Sequence, residues 1–372
     1  MREKNYLKFL LVVSAGFVML AAASCKKSSD QPQKTTPTTA TPTKLGMYDY
    51  SFGLVKEAII ALKVGTDSTD YGLAFDTGSG GMVIDAEGIL PPSMITTSGF
   101  NFSGKDSLVV KGITVTTQTS VIEYGEDDST LTKVYGNLAY ANITIGDHPQ
   151  DGKITATRVP FFLYYKAVNA KGTPFGAHEF DLFGSSPEYD ITFNNGVFIQ
   201  SPFFFFSPGT GLTKGFKMAA LGASNFSVDG TYVANQLTLG LTASDLSTAS
   251  GFSTDVLKFY TGEGYLPFLE TAVAYNSSHV SAELLFDTGT SPYSYILDPN
   301  ATTSVLLPDG TSVTATTTSG FNYTYTTQAS DNLTYIEAPS SGAQFSLLGI
   351  EYFLNNEYML DYTHNTLGLK VN

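Results

Sequence analysis

Residues 72–79 read GLAFDTGS, and residues 283–290 read ELLFDTGT. Each stretch is an apolar run that ends in Asp-Thr-Gly, and the two aspartates, Asp76 and Asp287, lie 211 positions apart (287 − 76). Such a run is typical of a buried strand that delivers an ionisable group into a turn. The repeat of the same Phe-Asp-Thr-Gly context makes chance a poor explanation. Two such carboxyl groups, if they meet, can share one proton for acid and base catalysis on a carbonyl.

The composition around these stretches favours strands and turns. The chain has 372 residues, enough for two lobes or one large all-β unit, with 13% aromatic residues and 35 glycines. From residue 47 onward, short β-branched and aromatic runs alternate with turn clusters, which predicts a mostly β protein. The pattern predicts a hairpin formed by Ala58–Val64 and Tyr71–Phe75. Further strands are predicted at Leu108–Val115, Asn142–Ile145, Gln236–Leu241 and Glu351–Leu354, and one or two helical turns are the alternative for the last of them.

Charge and motif content exclude several classes of function. The formal charge is −14 with only 15% charged residues, and no basic cluster is present, which argues against nucleic acid as a partner. No Gly-x-Ser-x-Gly motif occurs, and the glycine-rich stretch 209–215 lacks the Gly-Lys-Ser/Thr of a phosphate loop. We expect no metal and no cofactor, because the histidines are scattered without a His-x-x-x-His pair: His148, His178, His279 and His364.

The N-terminus has the features of a secretory leader. Basic residues precede the apolar run Phe9–Ala23, which is too short to span a membrane, and small residues then lead to Cys25, the only cysteine. This resembles the lipobox of bacterial lipoproteins, whose cysteine is lipidated after cleavage; an ordinary signal peptide is the alternative. We therefore expect a signal peptide at 1–24, a lipidated Cys25 with a flexible Ser/Thr/Pro-rich tether at 25–44, and attachment to a bacterial membrane in the cell envelope, on the periplasmic or cell-surface side.

Over about residues 47–371 the chain resembles the two-lobed, single-chain, pepsin-like aspartic proteases. The five residues from Asp287 to Ser291 match the C-lobe active-site motif of that family, and Asp76–Ser79 matches the N-lobe motif. Asp181–Gly184 and Ser346–Gly349 resemble the apolar-apolar-Gly segments that pack under the active-site loops. The resemblance implies an all-β, two-lobed fold with the active-site cleft between the lobes, an N-terminal lobe at 45–222 and a C-terminal lobe at 223–372.

The resemblance also implies roles for individual residues. Asp76 and Asp287 would be the catalytic pair, Tyr124 and Gly125 would belong to a flap over the substrate, and six residues would support the active-site loops: Thr77, Gly78, Ser79, Thr288, Gly289 and Thr290. Thr77 and Thr288 would lock the two loops together. Ser79 and Thr290 would hydrogen-bond the outer carboxylate oxygens.

The chain departs from the family in three places. It has no tryptophan, and residues 80–84 read GGMVI where the family has the Trp that supports the flap tyrosine. The flap has additional acidic residues, Glu126, Asp127 and Asp128, and the segment between Gly289 and Gly349 is shorter than usual. A pepsin-fold protein that binds peptide or glycan without cleaving it is therefore the alternative, and a processing protease with a single native target is a weaker one.

The sequence predicts an aspartic endopeptidase that hydrolyses peptide bonds through a water activated by two aspartates. From the resemblance we expect acid-favouring activity, cleavage between apolar residues and no covalent intermediate. The expected partners are a polypeptide substrate and, through the lipid anchor, a membrane. We expect the protein to be a monomer.

Overall fold

A computed structural model describes residues 40–125, 130–146, 148–189 and 191–372. The predicted signal peptide, Cys25 and the tether up to residue 39 lie outside the described residues, as do the acidic flap residues Glu126, Asp127 and Asp128. Within the described ranges, no helix is long and apolar enough to cross a membrane.

Strands dominate the described part of the chain, as the composition predicts. The first half contains β1 Thr43–Phe52, β2 Val55–Val64, β3 Tyr71–Asp76, β4 Gly80–Asp85, β5 Ile95–Thr96, β6 Gly99–Phe100, β7 Ser107–Val110, β8 Ile113–Tyr124, β9 Thr132–Ile145, β10 Ile154–Val168, β11 Leu182–Ser185, β12 Ile191–Thr192, β13 Phe198–Ile199 and β14 Thr213–Met218. The second half contains β15 Thr231–Leu241, β16 Ser253–Val256, β17 Lys258–Tyr260, β18 Gly264–Leu266, β19 Leu269–Tyr275, β20 Ser278–Phe286, β21 Tyr293–Leu297, β22 Val305–Leu306, β23 Ser312–Thr317, β24 Asn322–Thr326, β25 Leu333–Glu337, β26 Ser346–Leu348, β27 Asn356–Asp361 and β28 Thr366–Val371.

Helical structure among the described residues is confined to short 3₁₀ turns. They span Pro92–Met94, Pro202–Phe205, Ala223–Asn225, Thr248–Ser250, Pro339–Ser341 and Ile350–Leu354.

Two large sheets form the two lobes. A 14-stranded sheet has the order β16-β28-β27-β14-β15-β1-β2-β3-β11-β4-β10-β9-β8-β7, and an eight-stranded sheet has the order β22-β25-β21-β26-β20-β19-β23-β24. The predicted lobe boundary at residue 222 falls between β14 and β15, which are hydrogen-bonded neighbours in the larger sheet. Strands β15, β16, β27 and β28 of the predicted C-terminal lobe thus continue this sheet, and the exact boundary between the lobes stays a prediction.

The predicted hairpin of Ala58–Val64 with Tyr71–Phe75 is confirmed by antiparallel pairing of β2 with β3. The predicted strand Leu108–Val115 is wrong as a single element, because the chain turns at Lys111 and Gly112. Both residues have positive φ, 48° and 76°, which is the backbone that a two-residue hairpin loop requires. The structure therefore pairs β7 with β8.

The predicted strand Glu351–Leu354 is also wrong, and the helical alternative is correct. Ile350–Leu354 forms a 3₁₀ helix in which every residue is buried. A short apolar run that is buried on all sides shows no periodicity by which a strand and a helical turn could be told apart.

Aromatic side chains pack beneath both Asp-Thr-Gly stretches. Phe75, the residue before Asp76, stacks on Phe183 with ring centroids 5.9 Å apart. Phe286, the residue before Asp287, contacts the ring of Tyr352 at 4.7 Å. Both phenylalanines are 1% exposed, so burial of large apolar rings in the core stabilises each strand that leads into an Asp-Thr-Gly loop.

Candidate active site

Each Asp-Thr-Gly loop is supported by a second strand. Strand β11 runs parallel to β3 and places Gly184 opposite Asp76. Strand β26 runs parallel to β20, and the Asp287 N–H donates to the carbonyl of Leu348 at 2.9 Å. The two apolar-apolar-Gly segments identified in the sequence thus pack beside the loops, as predicted, and hold the backbone at both aspartates.

The two threonines join the loops to each other. The Thr77 N–H donates to Thr288 Oγ1 at 3.1 Å, and the Thr288 N–H donates to Thr77 Oγ1 at 3.0 Å. Each hydroxyl then donates to the carbonyl that precedes the opposite aspartate, Thr77 to Phe286 at 2.8 Å and Thr288 to Phe75 at 2.5 Å. Both threonines are buried, and this reciprocal set of bonds fixes the distance between the loops.

Each carboxyl group is held from its own loop. Asp76 accepts from the N–H groups of Gly78 and Ser79 at 2.7 and 3.1 Å, and its other oxygen accepts from the Ser79 hydroxyl at 2.5 Å. Asp287 accepts from the Gly289 N–H at 2.8 Å and from the Thr290 hydroxyl at 2.6 Å. The two halves of the site therefore have nearly the same hydrogen-bond pattern, one from each lobe.

The glycines of the two motifs are required by close approach rather than by an unusual φ. A Cβ atom added at Gly78 would lie 2.7 Å from Asp287 Cγ, and one added at Gly289 would lie 2.9 Å from Asp76 Cγ. Neither glycine has a positive φ. Each carboxyl group thus lies over the α carbon of the opposite loop, where any side chain would push the pair apart.

The two carboxyl groups interact directly. The pKa of Asp287 is raised well above its ordinary value, first by burial, and then by the charge of Asp76 and a hydrogen bond between the two side chains. Two carboxylates in one buried site cannot both ionise cheaply, so the pair retains a proton at a pH where an exposed aspartate would have lost it.

The pair opens into a cleft of about 510 Å³. Tyr124 and Gly125, the predicted flap residues, line it at the end of β8, where β8 pairs with β9. Residues of both lobes complete the wall: Glu123, Thr130, Thr132, Phe180, Leu182 and Glu188 on one side, and Phe268, Leu285, Ser291, Tyr295, Phe345 and Leu347 on the other.

Sequence reasoning missed several residues of this site. The Ser185 hydroxyl donates to the backbone carbonyl of Asp76 at 3.0 Å, and Glu188 accepts from the Gly80 N–H at 3.1 Å. The position of Ser185 immediately after Gly184 was an available signal. Phe180, Phe268 and Phe345 gave no such signal, because an aromatic residue in a loop does not show which cavity its ring lines.

The described residues contain no group of three or more His, Cys, Asp or Glu side chains placed to hold a metal ion.

Comparison with known proteins supports the fold. No protein-family model and no curated protein sequence matches the chain. Among solved structures, the chain is similar to the aspartic proteinase from Irpex lacteus, with a TM-score of 0.55 and 16% sequence identity over 90% of this chain and 96% of that one. The chain has the all-β, two-lobed fold of the pepsin-like aspartic proteinases, with the cleft between the lobes, as the sequence predicts.

Proposed function

We propose that this protein is an aspartic endopeptidase in which Asp76 and Asp287 activate a water molecule against a peptide bond. The observation that carries the proposal is that two buried carboxyl groups meet between the paired loops, each against the glycine of the other motif; burial first, and then the charge of Asp76, raises the pKa of Asp287. A pair that holds one proton supplies a base and an acid at the same time. The fold alone would not carry this conclusion, because one fold serves many functions.

The proposed reaction needs one aspartate of the pair as the acid and the other as the base. We place the proton of the resting pair on Asp287, whose pKa is raised first by burial and then by the charge of Asp76. Asp76 accepts three hydrogen bonds from N–H and O–H donors and acts as the base. Water adds to the scissile carbonyl carbon while its proton passes to Asp76 and Asp287 donates its proton to the carbonyl oxygen. The resulting gem-diol is neutral, and no bond to the protein forms.

Collapse of the gem-diol completes the reaction. Asp76 gives its proton to the leaving nitrogen, the C–N bond breaks, and Asp287 takes back a proton from a hydroxyl group. The products are a carboxylic acid and an amine, and the pair returns to its singly protonated state. Tyr124, on the flap, would cover the substrate and limit entry of other water molecules. The apolar wall of Phe268, Leu285, Phe345 and Leu347 favours cleavage beside apolar side chains.

We also propose the anchoring that the N-terminal sequence predicts. Lipid attachment at Cys25 would tether the catalytic unit to a bacterial membrane, on the periplasmic or cell-surface side. Metabolic labelling with a fatty-acid probe tests this, with incorporation expected in the wild type and none in Cys25→Ser. Equal labelling of both proteins would contradict the proposal.

Cleavage of unfolded casein tests the proposed activity. The full chain, purified in a mild detergent, is assayed between about pH 3 and pH 7 beside Asp76→Asn and Asp287→Asn. We expect acid-dependent cleavage that falls by about three orders of magnitude in either variant and is blocked by a statine-type inhibitor. A folded wild type that binds the inhibitor but cleaves neither casein nor a peptide library would contradict the proposal and indicate a binding protein.

A further inference from the structure

The predicted flap tyrosine contacts an aromatic ring that no motif includes. The ring centroids of Tyr124 and Phe180 are 5.4 Å apart at an interplanar angle of 55°. We propose that Phe180 is a positioning residue for Tyr124 and fixes the orientation of the flap ring in the cleft that contains the carboxyl pair; this inference rests on the proposed function. The flap here means residues 121–125 and 130–135.

Phe180 belongs to a small row of rings that ends at the flap. Phe180 also contacts Phe175, with ring centroids 5.2 Å apart at an interplanar angle of 48°. Centroid distances of 4.5–7 Å with tilted planes are those at which aromatic pairs attract each other beyond simple burial. Tyr124 and Phe180 both pack against an apolar cluster that includes Ile122 and Val134, from the two strands of the flap. The row therefore joins the flap to the body of its lobe.

The backbone around Phe180 is fixed to the strand that carries Asp76. The carbonyl of Asp181, the next residue, accepts from the Ala74 N–H at 2.9 Å. The Asp181 side chain accepts from the Asp85 N–H at 2.8 Å, and the His178 N–H donates to the Asp85 side chain at 3.2 Å. The segment that carries Phe180 is thus hydrogen-bonded to neighbouring strands on both sides of this residue.

The same segment continues directly to the catalytic loop. After Asp181 it becomes β11, whose Gly184 lies opposite Asp76. One short stretch of backbone therefore carries Phe180, which contacts Tyr124, at one end and Gly184, which lies opposite Asp76, at the other. Because the same segment carries Phe180 and supports the Asp76 loop, Phe180 can fix the position of the Tyr124 ring relative to the carboxyl pair.

A purely structural role for Phe180 is the alternative. Ile122 and Val134 are 4% and 0% exposed and already supply a buried core beneath the flap, whereas Phe180 lines the cleft. Loss of a ring at the cleft wall is therefore expected to free the flap while the lobe stays folded. A structural role would lower stability without a specific effect on the flap or on turnover.

Hydrogen exchange and kinetics together test the inference on the full chain. In Phe180→Ala we expect amides of residues 121–124 and 132–135 to exchange about tenfold faster than in the wild type, and kcat/KM for an extended peptide to fall about tenfold. Phe180→Tyr keeps the ring and should restore both values. Phe180→Leu keeps most of the apolar volume and should show several-fold faster exchange and a several-fold lower kcat/KM. This variant tests the inference if Phe180→Ala does not fold. The control is Phe259→Ala, which removes a ring that is 53% exposed and does not line the cleft.

Each outcome separates the two proposals. Unchanged flap exchange in Phe180→Leu, or faster exchange with kcat/KM unchanged, would overturn the role of Phe180 and leave the peptidase intact. If the wild type cleaves nothing, the proposed function fails. The exchange rates then still show whether Phe180 holds the flap.

Discussion

At the scale of single residues, the carboxyl pair requires two positions that have no side chain. Gly78 and Gly289 let each carboxyl group lie over the opposite loop, and no other residue leaves that space free. The Asp-Thr-Gly triplet is thus explained by three needs: a carboxyl group, a hydroxyl that reaches across to the other loop, and a position without a side chain.

Gly78→Ala should separate the pair. The added methyl group would start 2.7 Å from Asp287 Cγ, so the carboxyl groups must move apart and kcat/KM should fall about a hundredfold or more. Gly72→Ala is the control on β3, because its methyl group would meet only the Cγ2 methyl of Ile59, at 2.9 Å, and neither carboxyl group. Peptide cleavage and circular dichroism measure the two effects. Full activity of a folded Gly78→Ala would show that the pair does not need this close contact.

At the scale of elements, an ion pair anchors the segment that leads to β11. His178 Nδ1 lies 2.7 Å from the Asp181 carboxylate, and Nε2 lies 2.8 Å from the carbonyl of Glu87. The pKa of His178 is raised, first by the hydrogen bond to Asp181 and against the effect of burial. Asp85 and the Tyr71 ring, at 5.4 Å, are its other neighbours.

The sign of the resulting pH dependence follows from linkage. A histidine whose pKa is higher in the folded than in the unfolded protein adds stability that is complete below about pH 6.5 and is lost as pH rises through the folded pKa. His178→Asn should therefore lower the melting temperature by more at pH 5 than at pH 8.5. Asn also tolerates the φ of 59° at this position. The exposed His279 gives the control His279→Asn, and an equal loss at both pH values would contradict the role of the charge.

The sequence predicted elements well where local patterns determine them. The two Asp-Thr-Gly strands and the β2–β3 hairpin follow from short, contiguous motifs, and the supporting apolar-apolar-Gly segments follow from the resemblance to the pepsin-like aspartic proteases. The turn at Lys111 was missed because a two-residue loop within an apolar run does not change the hydrophobic pattern. The helical turn at Ile350–Leu354 was predicted only as an alternative to a strand, because a short run that is buried on all sides has no periodicity. The contact of Phe180 with Tyr124 could not be predicted, because it joins residues that only the folded sheet brings together.

At the scale of the whole molecule, buried acids relate stability to pH. Asp49 on β1 is 0% exposed, and burial raises its pKa to about 7 against the hydrogen bond from Gln236. Burial, with a contribution from Asp331, also raises the pKa of Glu351 to about 7, although Lys56 pairs with it at 2.5 Å. Both groups bind protons more tightly in the folded than in the unfolded protein.

The fold should therefore become more stable as pH falls from about 7 toward 5. Between about pH 4 and pH 7 the folded state keeps protons that the unfolded state releases, so stability decreases as pH rises through this range. Asp49→Asn should raise the melting temperature at pH 8 by several degrees and flatten the profile. Asp70→Asn, at a side chain that is 54% exposed, is the control. A wild type whose melting temperature is the same at pH 5 and pH 8 would contradict this account.

The pH–rate profile of a single quenched peptide tests the central claim, a catalytic pair that shares one proton. For the wild type we predict a bell-shaped profile of kcat/KM, whose acid limb reports protonation of the base and whose alkaline limb reports loss of the shared proton. Asp76→Asn and Asp287→Asn should each lose the bell and fall to the residual rate. A profile without two limbs, or a bell that persists in either variant, would contradict the claim that Asp76 and Asp287 act as one unit.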